Sequence, residues 1–174
     1  DCLGRIVAED VFADTTVPPL DASAMDGYAV RHADVREPGA RLVVLGEVAA
    51  GSPNAFSIDT GKAVRVFTGS PMPAGADHIL IQEHANAEDD EVVVTQAQEV
   101  RRHIRKAGGD FRYGDKILKA GTRLSARHIG LAASANHGTL LVRRRPSVAI
   151  LTTGSELRPP GSTLSDGQIA ESNS

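Results

Sequence analysis

Short runs of branched aliphatic residues, each stopped by glycine or proline, restrict this chain to a strand-rich fold. RLVVLGEV, Arg41 to Val48, reads as a strand, and GSPN closes it with a turn. Ala63 to Phe67 and His78 to Gln82 read as two more strands, separated by a loop with Gly69, Pro71, Pro73 and Gly75. The acidic run Glu88 to Glu91 is a solvated loop leading into VVVT, a hairpin partner. Pro18 and Pro19 fix an extended or turning backbone and forbid helix there. GGDFRYGDKILKAGTRL contributes four glycines, which mark tight turns around short strands.

One segment breaks this pattern. SARHIGLAASANHG predicts a helix, with Ser125 as N-cap, an Ala-rich body and Gly138 at the expected stop. Beyond it, Leu140 to Val142 reads as a strand and Arg143 to Pro146 as a junction. Val148 to Leu151 is a continuous apolar strand, and its lack of alternation predicts burial on both faces, as in a parallel sheet. A glycine turn after such a strand is where open α/β sheets place ligands.

The core must rest on Val, Ile, Leu and Ala, because aromatics make up only 3% of the 174 residues and Trp is absent. That length suits one domain or two small ones. A net charge of −3 gives no electrostatic case for general nucleic-acid binding. Arg143, Arg144 and Arg145 lack aromatic neighbours on which bases could stack. The single cysteine, Cys2, excludes an internal disulfide framework and fits a reducing compartment. No apolar run approaches the roughly 20 residues needed to cross a bilayer, and no signal-peptide pattern opens the sequence. A soluble cytoplasmic protein is expected, with neither nucleic-acid nor membrane partners. The chain starts without Met and closes on IAESNS after a strand and turn, so a piece of a longer protein is expected.

Four segments carry candidate chemistry. In LDASAMDGYAV, Asp26 precedes Gly27 on a small-residue turn and can face a ligand unobstructed, whereas Asp21 caps the turn; an ordinary Asp-Gly turn explains part of this. In VFTGSPMPAGAD, Thr68 and Ser70 sit where hydroxyls and backbone N–H groups suit an oxyanion, or where Thr68 bonds its own backbone. HIRKAGGD places Arg105 and Lys106 before a Gly-Gly turn ending in Asp110, either for a phosphorylated ligand or as a solvated strand end. AILTTGSEL places Thr153, Gly154 and Ser155, then Glu156, after the apolar strand, a setting for anion binding by backbone N–H groups. No phosphate-loop signature, serine-hydrolase elbow or paired His/Cys metal motif occurs.

Taken in order, PPLDASAMDGYAV, VRVFTGSPMPAGADHILIQE, HIRKAGGD and AILTTGSEL with DGQIAESNS resemble the MoeA-type molybdopterin molybdotransferases, the family that includes the E domain of gephyrin. The resemblance spans essentially the whole chain. It implies insertion of molybdate into adenylated molybdopterin with release of AMP, assisted by Mg2+, in a homodimer whose cleft is shared between subunits. It implies a β-rich α+β architecture of several domains. Residues 1–12 with 113–143 form a small discontinuous first domain containing the helix. Residues 13–112 form a mixed-β second domain, and 144–174 the start of an α/β molybdopterin-binding domain.

The resemblance assigns catalytic roles to Asp26, Thr68, Asp110 and Glu156, metal contacts to Asp26 and Asp110, and cofactor contacts to Thr153, Gly154, Ser155 and Asn173. Because molybdate is an anion, the aspartates are expected to position magnesium or the attacking water, and Thr68 to offer donors. The chain has Ala22 where members commonly carry Asn, and Gly109 where an acidic residue is frequent. A gephyrin-like scaffold and a non-catalytic dimerisation module are the rival readings on the same fold.

Overall fold

A computed structural model of the chain describes residues 2–53 and 55–173. The chain divides into two compact units, Asp1–Val142 and Arg143–Ser174. In the first unit the strands are β1 (Val11–Phe12), β2 (Ala22–Ser23), β3 (Gly27–Val30), β4 (Arg41–Val48) and β5 (Lys62–Val66). There follow β6 (His78–Ile81), β7 (Ala85–Glu88), β8 (Glu91–Val94), β9 (Ile104–Arg105), β10 (Lys116–Leu118) and the helix α1 (Ala126–Ser134). The second unit holds β11 (Leu157–Arg158) and β12 (Ile169–Ala170), paired in parallel. The strand-rich α+β class expected from the sequence is therefore the one observed.

Six strands form one mixed sheet in the order β6-β3-β5-β4-β8-β7, in which only β4 and β5 run parallel. The strands expected at Arg41–Val48, around 63–67 and around 78–82 are β4, β5 and β6, and β8 is the expected hairpin partner; of the acidic run only Asp89 and Asp90 form the turn, while Glu88 and Glu91 pair at the ends of β7 and β8. The sheet is buried on both faces at its centre. Tyr28, Val30, Ala63 and Leu80 pack with Leu42 and Val92 on one side, while Ala29, Val64 and Ile79 pack with Val48 and Ile58 on the other. This double burial explains why GYAV shows no polar alternation. Burying a Val, Leu or Ile fully stabilises by about 1.5–3 kcal/mol as an upper value, so aliphatic side chains suffice without Trp. Gly27 is required by space, since a Cβ there would lie 2.2 Å from the Leu80 carbonyl oxygen.

A second cluster joins the opening residues to the region after β10. Val7 and Val11 pack with Leu118, Leu124 and Ala132, and β1 pairs antiparallel with β10. The helix starts as expected at Ser125. The Ser125 side chain accepts the His128 N–H, and the Ser125 N–H donates to His128 Nδ1 at 3.2 Å, a capping box with histidine in the usual Glu/Gln place.

Three expectations are corrected. The helix ends at Ser134 rather than near Gly138; Asn136, at φ +72°, takes the left-handed stop. The His137 N–H then donates to the Ala132 carbonyl and the Asn136 N–H to the Ala133 carbonyl, the doubly bonded helix end that asparagine tolerates as glycine does. Leu140 to Val142 forms no strand beyond a single bridge between Val142 and Val7. Val148 to Leu151 is not a buried strand: Val148, Ile150 and Leu151 are 78%, 63% and 87% exposed, and no described strand pairs with them. An apolar run forms a strand only when a neighbouring ladder takes up its backbone groups. The Asn54 end of the expected GSPN turn lies outside the described residues.

Candidate functional site

The site of the first unit is built on β2, which is only two residues long. Ala22 and Ser23 pair with Arg105 and Ile104 of β9 on one side. On the other side the Ser23 N–H donates to the Ser70 carbonyl and the Gly69 N–H to the Ser23 carbonyl. Ser23 is fully buried and Ala22 nearly so, with backbone close on both sides. That sandwich accounts for the small residues in LDASAMDGYAV: bulk at these positions would separate the three segments. Three loops carrying sequence-predicted residues thereby meet at one strand.

Asp26 follows β2 and is clamped by Thr68. The Thr68 N–H donates to Asp26 Oδ1 at 2.7 Å and the Thr68 hydroxyl to the same oxygen at 3.0 Å. The backbone donor, then the hydroxyl, hold the Asp26 carboxyl below the usual carboxylate range, with a smaller contribution from Arg65. Ser70 fixes the turn that presents Thr68: its hydroxyl accepts the Phe67 N–H and donates to the Val48 carbonyl. Arg65 was not singled out by sequence reasoning. Its guanidinium lies 5.1 Å from the ring centres of both Tyr28 and Phe67, and it donates to Gln82 Oε1 and the Gly27 carbonyl. The one signal in the sequence was its place in a strand two residues before Phe67.

Asp110 lies on the loop after β9, where its Oδ2 accepts from Arg105 Nη2 at 2.7 Å. Asp21 is an anchor of that same loop. Its carboxylate accepts from Lys106 Nζ at 2.6 Å and from the Ala107 N–H at 2.9 Å, which together lower its pKa, the lysine more strongly. The two cations of HIRKAGGD are thus each matched to an in-chain carboxylate.

Among the described residues no three His, Cys, Asp or Glu side chains converge as a metal centre. Of the two aspartates implied for magnesium, Asp26 fits better. Among the described residues its Oδ2 makes no hydrogen bond, whereas Asp110 is paired with Arg105. One carboxylate is compatible with an ion that takes its remaining ligands from phosphates and water.

The second unit carries the other predicted residues. The Glu156 carboxylate folds back over Gly154, close enough that a Cβ on Gly154 would lie 2.6 Å from Oε1. The Ile169 N–H donates to the Glu156 carbonyl at 2.9 Å, and the Asn173 N–H to Glu171 Oε1 at 2.6 Å. Thr153 and Ser155 are exposed beside this turn, whose Gly154 position is covered by the chain's own carboxylate rather than left open.

A third cluster escaped the sequence reading because its histidines are scattered along the chain. His78 is fully buried, its Nδ1 accepts the Arg102 N–H at 3.0 Å, and its Nε2 has no hydrogen-bond partner among the described residues. The rings of His32 and His103 lie 5.4 and 6.3 Å away. His32 Nε2 meets the Gln98 carbonyl at 2.8 Å, and the Gln98 amide meets His84 Nδ1 at 3.1 Å. Burial lowers the His78 pKa to about 4, partly opposed by the neighbouring Gln98 amide, so the ring is neutral at physiological pH.

Fold and site together define a strand-rich module that presents a clamped carboxylate on loops outside a rigid sheet. Comparison with known proteins gives this class its family. Residues 1–136 match the family described as MoeA N-terminal region (domain I and II), and the chain belongs to it. A molybdopterin molybdenumtransferase of Nostoc sp. is 37% identical, over 98% of this chain and 40% of the relative. One of Haemophilus influenzae is 35% identical, over 99% of this chain and 43% of the relative. A crystal structure of the molybdopterin biosynthesis MoeA protein from Pyrococcus horikoshii superposes with a TM-score of 0.88 at 32% identity, covering 99% of this chain and 47% of that one. The chain therefore spans less than half the length of these relatives.

Proposed function

We propose that the parent of this chain serves molybdenum cofactor biosynthesis by inserting molybdate into adenylated molybdopterin, with release of AMP. The observation that carries this reading is the Asp26–Thr68 clamp, because both residues stand in the motifs that the family resemblance assigns to the site. A carboxylate held below its usual pKa is ionised at neutral pH and is a weak proton acceptor there. Asp26 accordingly acts by charge and orientation, holding a water or cation at its open Oδ2. Both Thr68 donors point at Asp26, so an incoming oxyanion either displaces that bond or takes its donors elsewhere. Magnesium, when bound, would use Asp26 as a carboxylate ligand and neutralise phosphate charge.

The names of the relatives support molybdopterin as the substrate framework. Residues 1–12 with 113–143 are proposed as the first domain, supported by the β1–β10 ladder, and residues 13–112 as the second. Residues 144–174 begin the molybdopterin-binding domain, with Thr153, Gly154, Ser155, Glu156 and Asn173 contributing to its pocket. The working parent is proposed as a cytoplasmic homodimer whose cleft combines both subunits. Among the described residues no helix is long and apolar enough to cross a membrane. The test is molybdate-dependent AMP release from adenylated molybdopterin. Turnover is expected from the parent and none from the 174 residues alone; AMP release by the parent that ignores molybdate removes this reading.

A further inference from the structure

Between β8 and β9 the chain runs from Thr95 to His103 without forming a strand, and this run leads straight into β9. The His103 carbonyl accepts the Ala24 N–H at 2.8 Å, and the next two residues, Ile104 and Arg105, pair with Ser23 and Ala22. Whatever fixes the run therefore also steadies β2. Its backbone ties include the Gln98 N–H on the Val35 carbonyl at 3.2 Å and the Ile79 N–H on the Arg102 carbonyl at 3.3 Å. Three further anchors are made on the rings of His84, His78 and His32.

The polarity of these anchors is fixed by groups that cannot reverse. Gln98 is almost fully buried, and its amide nitrogen donates to the Gln96 carbonyl at 2.8 Å. A carbonyl only accepts, so turning the amide over would set two oxygens against each other. The same nitrogen meets His84 Nδ1 at 3.1 Å, so His84 must present a lone pair there. The Arg102 N–H makes the same demand on His78 Nδ1. Neutral His78 therefore carries its proton on Nε2, buried and without a hydrogen-bond partner among the described residues. His32 is different, because its Nε2 donates to the Gln98 carbonyl and tolerates a charged ring. Imidazolium has an N–H on both nitrogens, so protonating His84 or His78 destroys the anchor it makes.

His84 is the ring that solvent reaches first. It is half-buried and lines an open cavity of about 280 Å³ with Gln98, Glu99, Arg102 and His103, whereas His78 is fully buried. The titratable groups facing His78 are His32, His103 and Asp77. Asp77 also accepts from Arg101 Nη2 at 2.9 Å and from the His32 N–H at 2.6 Å, contacts that a charged histidine leaves intact.

We infer that the run from Gln96 to His103 is a proton-released latch: a proton on His84 Nδ1 expels the Gln98 amide, and the freed run loosens its hold on Ala24 and β2. Neutral histidines keep the latch closed, and acidification opens it before the six-strand sheet unfolds. The device goes beyond the reaction proposed above and does not depend on it.

The test is amide hydrogen exchange on the 174-residue chain between pH 7.5 and pH 5, corrected for the intrinsic rate, with the His84 ring titration followed by NMR. Histidine is the side chain that changes charge in this range. Protection at Arg102 and Ala24 is expected to fall by about tenfold or more along the His84 titration, while Ala29 and Val64 in the sheet keep theirs. His84→Asn retains an acceptor oxygen near the place of Nδ1 and cannot take up the proton, so its protection at Arg102 and Ala24 should stay level. Gln98→Ala should show the low protection already at pH 7.5. Wild-type protection at Arg102 and Ala24 that ignores pH, an unchanged pH response in His84→Asn, or full protection in Gln98→Ala overturns the inference. So does loss of protection at Ala29 and Val64 in step with Arg102, which is unfolding of the sheet rather than release of a latch.

Discussion

Thr68 gives two donors to a single oxygen of Asp26, its backbone N–H at 2.7 Å and its hydroxyl at 3.0 Å, and the other oxygen has no hydrogen bond among the described residues. The two donors can be separated by mutation. Thr68→Val keeps the N–H and the side-chain shape but removes the hydroxyl. The Asp26 carboxyl pKa is expected to rise without reaching its usual value, since the larger contribution is the backbone donor. Losing the hydroxyl donor is expected to lower parent turnover by roughly a few-fold. Thr68→Ser restores both. A carboxyl titration by NMR that is identical in wild type and Thr68→Val would remove the hydroxyl from the clamp.

Gly27 illustrates how backbone proximity, rather than conformation, can fix a residue. A methyl group there would press on the Leu80 carbonyl at 2.2 Å, at the end of the β3–β6 ladder where Gly27 pairs with Ile81. Gly27→Ala is expected to cost about 3 kcal/mol, the upper end of overpacking effects, seen as a lower urea midpoint. A change below about 0.5 kcal/mol would mean that β3 and β6 can separate freely.

Local rules carried much of the fold. The strands from Arg41 onward were legible because β-branched runs bounded by Gly and Pro are a local signal, and Ser125 was legible as a cap for the same reason. What failed was non-local. Val148 to Leu151 has the composition of a buried strand but no described ladder to join, and composition cannot supply one. Asn136 ends the helix ahead of Gly138 because either residue accepts a left-handed conformation. Asp26 and Thr68 both stand out in the sequence, but their contact depends on the sandwich around β2. The histidine cluster gave no signal, since residues of β6, turns and loops far apart in sequence meet only after folding.

His78 makes a pH prediction. Its folded pKa of about 4 lies below the unfolded value of 6.5, so its contribution to stability is fully present above pH 6.5. That contribution is lost as pH falls from 6.5 toward 4, because the unfolded chain takes up the proton first. A shift of that size corresponds to about 3 kcal/mol. The titratable groups facing it are His32, His103 and Asp77. Urea unfolding at pH 7 and pH 4.5 should show this loss in wild type and a flatter profile in His78→Gln. Equal slopes would mean that another group sets the window.

A second window opens at lower pH. Asp10, Asp21 and Asp26 all have carboxyl pKa values below 3.8 in the folded chain, Asp10 mainly through Lys116 and Asp21 mainly through Lys106. Their contributions are present above the unfolded value and disappear as pH falls through the folded ones. Asp21→Asn should weaken this acid-side loss and speed amide exchange at Ala107, which the Asp21 carboxylate anchors. Unchanged exchange at Ala107 would contradict the anchoring.

The most direct measurement is molybdate-dependent AMP release by the parent protein and its Asp26→Asn variant, with binding of adenylated molybdopterin measured on both. Asparagine keeps the shape and the Thr68 contacts within reach but removes the charge. Turnover lower by about a hundredfold or more, with substrate binding kept within a few-fold, is the expected result. Equal turnover in both proteins would contradict a chemical role for Asp26 and reduce the clamp to a turn.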